Sequence, residues 1–208
     1  VDAQEWDRRY RERELVWGAE PNRFVVEAAA DLPPGRALDV AAGEGRNAVW
    51  LAERGWQVTA YDFSPVAVER GRRVARERGV EVEWLVADAR DPAPLREGYD
   101  LVLLCYLHLP RDDWRRALAE AVRALAPGGR LVSVGHALDN LVRGTGGPQD
   151  PKVLHVPQNI AMAITETAAL EHFAVRIERA GQVTREVVAE DGTRTAIDSL
   201  VVAHRADR

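Results

Sequence analysis

Ten residues, Leu38-Asp39-Val40-Ala41-Ala42-Gly43-Glu44-Gly45-Arg46-Asn47, bring an apolar run to a turn with two glycines and then to a helix start. Glycine suits such a turn because a ligand approaches backbone closely only where no Cβ intervenes, and because tight turns call for positive φ. The helix that follows, Arg46 to Arg54 with Gly55 as its stop, offers unpaired N–H groups in its first turn. The spacing Gly43-x-Gly45-x-x-Ala48 also satisfies the dinucleotide fingerprint, so the motif alone leaves the ligand open.

Charge narrows the choice. Asp39 and Glu44 border the place where a pyrophosphate would rest, and like charges at roughly 4 to 6 Å repel, with Arg46 offsetting part of that. A ligand with cationic groups fits better, as does S-adenosylmethionine with its sulfonium and ammonium; Arg46 or the helix N-terminus can receive its carboxylate. Asp62 closes the next β-run 17 residues beyond Gly45, near the spacing at which an acid accepts hydrogen bonds from ribose hydroxyls. An NAD-dependent oxidoreductase shares the glycine spacing and is disfavoured by the flanking acids. A non-catalytic module binding adenosine ligands is the other rival.

Five histidines, His108, His136, His155, His172 and His204, show no metal-ligand spacing, and a single cysteine, Cys105, allows no intrachain disulfide and no cysteine zinc cluster. His108 and His136 follow the fourth and fifth β-runs, at carboxyl ends where open α/β sheets place ligands. Either can serve as base or orient an acceptor, and either can be a hydrogen-bonded structural histidine. Asn140 and Arg143, in an irregular stretch, are candidates to orient an acceptor. Cys105 reads as buried strand packing rather than a nucleophile.

Alternating elements must position these groups. Asp2 to Glu14 has helical character with Trp6 and Tyr10 on one face, followed by a loop carrying Trp17 and an apolar helix from about Arg23 to Ala30. Ser64-Pro65 is a helix start, Ser as N-cap and Pro at the first helical position. Val80 to Val86 reads as a strand ending at Asp88, and Tyr99 to Leu107 as a central strand covered on both faces. Asp112 to Leu125 forms a helical stripe stopped by Pro127-Gly128-Gly129, with Arg130 to Val134 as a fifth strand. Residues 135–157 are too rich in Gly and Pro for a long element and too long for a plain connection. Gln158 to His172 is a helix, and Asp191-Gly192 joins two final β segments, which makes the sheet mixed.

The chain of 208 residues suffices for one domain, with a net charge of −5 that argues against a general nucleic-acid surface. No apolar run approaches the roughly 20 residues needed to span a bilayer, and the first residues show no signal peptide or lipid anchor. The expectation is a soluble, cytoplasmic protein with a small-molecule partner, no nucleic acid and no membrane.

These residues carry a family likeness: the chain resembles the class I S-adenosylmethionine-dependent methyltransferases. The matching pieces are Leu38 to Gly45, the acids Asp62 and Asp88, Pro127-Gly128-Gly129 and the terminal hairpin. Trp6-Asp7-x-x-Tyr10, Trp17, Pro21-Asn22 and Gly45-Arg46-Asn47 look most like the tellurite-resistance and thiopurine methyltransferase branch. The resemblance implies a three-layer αβα Rossmann-like sandwich with a seven-stranded sheet of order 3-2-1-4-5-7-6, strand 7 antiparallel. It implies one domain over 1–208, with 1–34 as a helical cover on a 35–208 core. It implies a donor site built from Asp39, Ala41, Gly43, Gly45, Arg46, Asn47, Asp62, Phe63, Ser64, Asp88, Ala89 and Cys105. The turn would receive the methionine moiety, Asp62 the ribose, Asp88 and Ala89 the adenine edge, and Phe63 the adenine face. The acceptor, a thiol, chalcogen oxyanion or hydroxyl, would lie under Tyr10, Trp17 and Tyr106, with no metal required.

Overall fold

The computed structural model describes residues 3–12, 20–91, 98–189 and 192–207. Trp17 and the tip of the terminal hairpin lie outside the described residues. Two N-terminal helices, α1 (Ala3–Glu12) and α2 (Arg23–Ala29), precede β1 (Arg36–Val40), α3 (Arg46–Ala52), β2 (Gln57–Asp62), α4 (Pro65–Glu77) and β3 (Glu83–Val86). Then come β4 (Tyr99–Cys105), α5 (Arg111–Arg123), β5 (Leu125–His136), the short α6 (Asn140–Arg143), a single 3-10 turn (Pro151–Val153), α7 (Pro157–Leu170), β6 (Val175–Ala189) and β7 (Gly192–Arg205). The seven strands form one sheet of order 3-2-1-4-5-7-6, with β7 antiparallel to both β5 and β6. Fold class and strand order match the expectation from sequence.

Alternation along the central strands explains the layers. In β4, Leu101 and Leu103 face a core shared with Val25 of α2, Leu51 of α3 and Val68 of α4. Val102 and Leu104 face the opposite core, shared with Leu118 of α5 and Ile164 of α7. Successive side chains point to opposite faces of a strand, so a continuous apolar run demands helices on both sides.

Local signals act as their chemistry requires. Ser64 Oγ accepts from the Ala67 N–H at 3.1 Å, capping α4 behind Pro65. β3 starts at Glu83 rather than Val80 because the Val80 N–H returns to the Ala75 carbonyl at 3.0 Å to close α4. Pro127-Gly128-Gly129 falls inside β5 rather than after α5, which already ends at Arg123. A Cβ on Gly129 would stand 2.7 Å from the Tyr99 carbonyl oxygen, so the approach of β5 to β4 admits only glycine there.

The stretch between β5 and α7 holds only α6 and the 3-10 turn. Asn140 is its anchor: its amide donates to the carbonyls of Thr145 and Gly146 at 3.2 and 2.8 Å, and its Oδ1 accepts from Ile197 N–H at 2.7 Å. β5 pairs with β7 only as far as His136 opposite Asp198, while β6 and β7 stay paired to Ala189 opposite Gly192. The hairpin therefore runs on as a two-stranded ribbon past the carboxyl end of β5.

Candidate functional site

The carboxyl ends of β1, β2, β4 and β5 open onto a cavity of about 830 Å³. Its floor is the turn between β1 and α3. Gly45, at φ 78°, leads into α3, and a Cβ there would collide with the Trp84 ring of β3. Ala41 is also left-handed, at φ 54°, a conformation that costs a non-glycine residue about 1 to 2 kcal/mol.

Asp62 ties the turn to the end of β2. Its Oδ2 accepts from the Gly43 N–H and its Oδ1 from the Ser64 N–H, both at 2.9 Å. Each oxygen keeps a further lone pair for a ligand hydroxyl. Burial pushes this carboxyl up to about 6, opposed by those N–H groups, with Asp7 and Asp88 adding to the rise. Asp39, beneath the turn, is 1% exposed, and neither of its oxygens makes a well-formed hydrogen bond, the Ala48 N–H acting on it only weakly. Burial raises it to about 7; Arg46 opposes this and Asp62 reinforces it.

Glu44 plays a different part from the one its position suggests. Arg70 of α4 holds its carboxylate at 2.9 Å, so Asp39 and Asp62 carry the negative character of the floor. Asn47 is also committed: its Oδ1 accepts from Asn22 N–H at 2.9 Å, while the Asn22 side chain caps α2. Ser64 donates its hydroxyl to Asp7 of α1. Trp6 and Tyr10 of α1, ring centroids 5.6 Å apart, join the cavity lining.

Phe63, Asp88, Ala89 and Cys105 line the cavity as well. Arg90 grips Asp88, with Nη2 2.6 Å from Oδ2, and its hydrogen bond holds that carboxyl below the usual range against the effect of burial. Burial pushes the Cys105 thiol up, and nearby Asp39 adds to this. A neutral thiol is inert as a nucleophile, so Cys105 serves as wall.

Beyond the end of β4 the same cavity continues as an aromatic chamber. Tyr106 sits at φ 56° and closes one side. Its hydroxyl donates to Asp198 Oδ2 of β7 at 2.7 Å, and Arg185 Nε of β6 donates to the same oxygen at 2.8 Å and to the phenol at 3.1 Å. His136 Nδ1 stands 3.2 Å from Asp198 Oδ1, though off the line of a well-formed hydrogen bond. Burial raises Asp198, but His136, Tyr106 and Arg185 together hold it below the ordinary carboxylate range.

His108 lies over His136, ring centroids 5.4 Å apart and nearly parallel, and its Nδ1 donates to the Val153 carbonyl at 3.0 Å. That tautomer, assigned from its hydrogen bond, leaves a buried Nε2 without a partner. His155 donates Nε2–H to the Leu107 carbonyl at 3.1 Å and sits edge-on between His108 and Trp114. Burial lowers His108 to about 4 and His155 to about 3, so both rings are neutral near pH 7.

Asp198 and Arg185 escaped sequence reasoning, although one signal existed: Asp198 interrupts an apolar strand, and a buried acid needs partners. Asn140 and Arg143 do not reach the cavity. Asn140 is consumed by backbone groups, and Arg143 binds Asp139 and Gln182 beside a separate shallow groove. His172 and His204 lie away from the cavity lining. Among the described residues no group of His, Cys, Asp and Glu can hold a metal ion.

Comparison with known proteins adds several likenesses. Residues 37–129 match the family described as "Methyltransferase domain". The chain is 41% identical over 125 residues to the demethylmenaquinone methyltransferase of Thermus thermophilus, a match covering 58% of this chain and 56% of that protein. The chain spans about half the length of the curated relatives it matches. Two solved structures share the fold. One, from work on conversion of a disulfide bond into a thioacetal group during echinomycin biosynthesis, has TM-score 0.77 at 23% identity and covers 99% of this chain and 94% of its own. The other, TehB from Haemophilus influenzae, has TM-score 0.71 at 17% identity, covering 89% and 62%.

Residues 37–129 are thus similar to a methyltransferase domain, and the chain shares the fold of these solved structures. The site fits a sulfonium nucleoside such as S-adenosylmethionine as methyl donor: the buried Asp39 carboxyl, offset only in part by Arg46 and the Ala48 N–H, can take a cationic group, and Asp62 keeps lone pairs for two hydroxyls.

A pH signature follows from Asp39 and Asp62. Both are raised in the folded, ligand-free protein above an unfolded value near 3.9. Their contribution to stability is therefore full below about pH 4 and is lost as pH rises through about 6 to 7. Asp39→Asn, which mimics the protonated form, is expected to gain stability relative to the native chain over that window, measured by urea unfolding at several pH values. Donor binding by the native chain should tighten and release protons over the same window; a flat affinity from pH 5 to 8 would contradict this.

Proposed function

We propose that the chain binds S-adenosylmethionine on the Ala41–Asn47 turn and transfers its methyl group to a small-molecule acceptor held in the aromatic chamber. The reading takes 1–208 as one domain, with residues 1–34 covering a 35–208 core. One observation carries it: the cavity that begins at the buried Asp39 carboxylate continues without a break to Tyr106, His108 and His136. The donor supplies an electrophilic methyl carbon for in-line displacement. The protein's work is then alignment and exclusion of water, worth up to about 7 to 11 kcal/mol in well-oriented systems. Arg46 and the α3 N-terminus receive the donor carboxylate, Asp62 the ribose, and Phe63, Asp88 and Ala89 the adenine.

For the acceptor, the curated relatives named for demethylmenaquinone favour a flat hydroxylated ring, methylated at carbon. The chamber supports this with Tyr10, Tyr106, Leu107 and Leu109 in its lining. Such a ring needs its hydroxyl deprotonated, and His108 and His136 are the bases within the lining. A soft thiol or chalcogen acceptor is the second reading, favoured by the likeness to the tellurite-resistance branch; a thiol with pKa about 8.5 needs less help from a base. Release of S-adenosylhomocysteine should be screened against naphthohydroquinones, thiols, phenols and tellurite. Turnover of the hydroquinone is expected, and no turnover of any member would refute the proposal.

A further inference from the structure

Two histidines enter the acceptor chamber, and their surroundings differ. His108 spends Nδ1–H on the Val153 carbonyl, and its Nε2 is sealed from solvent. His136 has a carboxylate behind it, with Asp198 Oδ1 3.2 Å from Nδ1, at ion-pair distance and off the line of a well-formed hydrogen bond. Its Nε2 makes no hydrogen bond among the described residues, and the ring lines the cavity. A carboxylate behind one imidazole nitrogen selects the tautomer with a bare opposite nitrogen and stabilises the imidazolium formed when that nitrogen takes a proton.

Asp198 is itself held from three directions. Its side chain is completely buried, and Oδ2 receives Tyr106 from the end of β4 and Arg185 from the ribbon of β6. These bonds occupy one oxygen and leave Oδ1 turned to His136. Tyr106 accepts a left-handed backbone at φ 56° to make its part of this arrangement, and such strain in a non-glycine residue persists only where its surroundings over-determine it.

We infer that His136, oriented by Asp198 under the clamp of Tyr106 and Arg185, is the general base of the methyl transfer, with Asp198 as its positioning residue. This rests on the methyltransferase reading above and selects between its two candidate bases. The acceptor hydroxyl gives its proton to His136 Nε2, the freed electron pair forms the new bond to the methyl carbon, and the carbon–sulfur pair leaves on sulfur as S-adenosylhomocysteine. With a ring-carbon acceptor the pair arrives through the ring, and the displaced ring proton passes to solvent. The charged and titratable groups around His136 are Asp198 on β7, Arg185 on β6, Tyr106 and His108 after β4, and His155 in the following loop.

The test reads the imidazole directly. Nitrogen-15 spectra of histidine-labelled protein, with His136 assigned by difference from His136→Gln, should show Nδ1 protonated and Nε2 bare near pH 7.5. Asp198→Asn, whose amide can donate to Nδ1, should invert that tautomer. It should also lower kcat about tenfold or more while KM for S-adenosylmethionine stays within about twofold. A native His136 protonated on Nε2, or an Asp198→Asn enzyme with unchanged kcat, overturns the assignment. The native spectrum needs no acceptor, and the Asp198→Asn kinetics do not depend on the His136→Gln variant used for assignment. A chain that turns over no acceptor defeats the proposed function, whereas turnover with the wrong tautomer defeats only this inference.

Discussion

Gly45→Ala is expected to lower stability by about 2 to 5 kcal/mol and to abolish measurable S-adenosylmethionine binding. Two independent costs combine. An alanine at φ 78° pays about 1 to 2 kcal/mol for the left-handed backbone. Its methyl group would also enter the space of the Trp84 ring, which already packs against Gly71 of α4, and overpacking of this kind costs about 1 to 3 kcal/mol. Because the displaced atoms form the floor of the cradle, binding fails with stability. Gly79→Ala is the internal control. It has a similar φ of 68° and nothing within 4 Å of its Cβ position, so only the backbone cost applies and binding should survive. Urea unfolding and calorimetric titration of both variants separate the two costs, and equal losses would show that Trp84 is not the obstacle.

Asp62→Ala should weaken S-adenosylmethionine at least about tenfold, or about 1.4 kcal/mol. On the proposed reading the carboxylate accepts from two ribose hydroxyls, and charge-assisted bonds are the strong ones. Removal also strips the Gly43 and Ser64 N–H groups of their acceptor, and each buried donor left unpaired costs about 1 to 3 kcal/mol. S-adenosylhomocysteine, which shares the ribose but lacks the sulfonium charge, should weaken by a similar factor. Titrating both ligands against the variant checks this. A loss confined to the charged ligand would mean that Asp62 acts through long-range charge, not through the ribose.

The turn and cap geometry of the proposed donor end was readable in the residue order because its demands are local. Gly43, Gly45, Asp62 and Ser64 act within a turn or between adjacent strand ends, and the positive φ and N-cap geometry they show are properties of a few consecutive residues. Alternation of elements predicted a parallel sheet made mixed by the terminal hairpin, while the strand order came through the family resemblance. The acceptor end was less accessible. Tyr106 meets Asp198 across 92 positions, and nothing near either residue announces the other. Asn140 misled for a related reason: a polar side chain in a glycine-rich stretch looks available, yet it satisfies the loop's own carbonyls and an N–H of β7. Glu44 was read as an open charge because Arg70 lies 26 positions away.

The stretch that matches the methyltransferase family ends at residue 129, whereas His136, His155, Arg185 and Asp198 all come after it. Tyr106 and His108 are the inner wall contributed from within the shared part, and the ribbon that projects past β5 supplies its outer buttress. On the proposed reading, acceptor recognition is a replaceable module: exchanging the stretch from β5 onward between relatives is expected to redirect what is methylated while leaving the nucleoside grip intact.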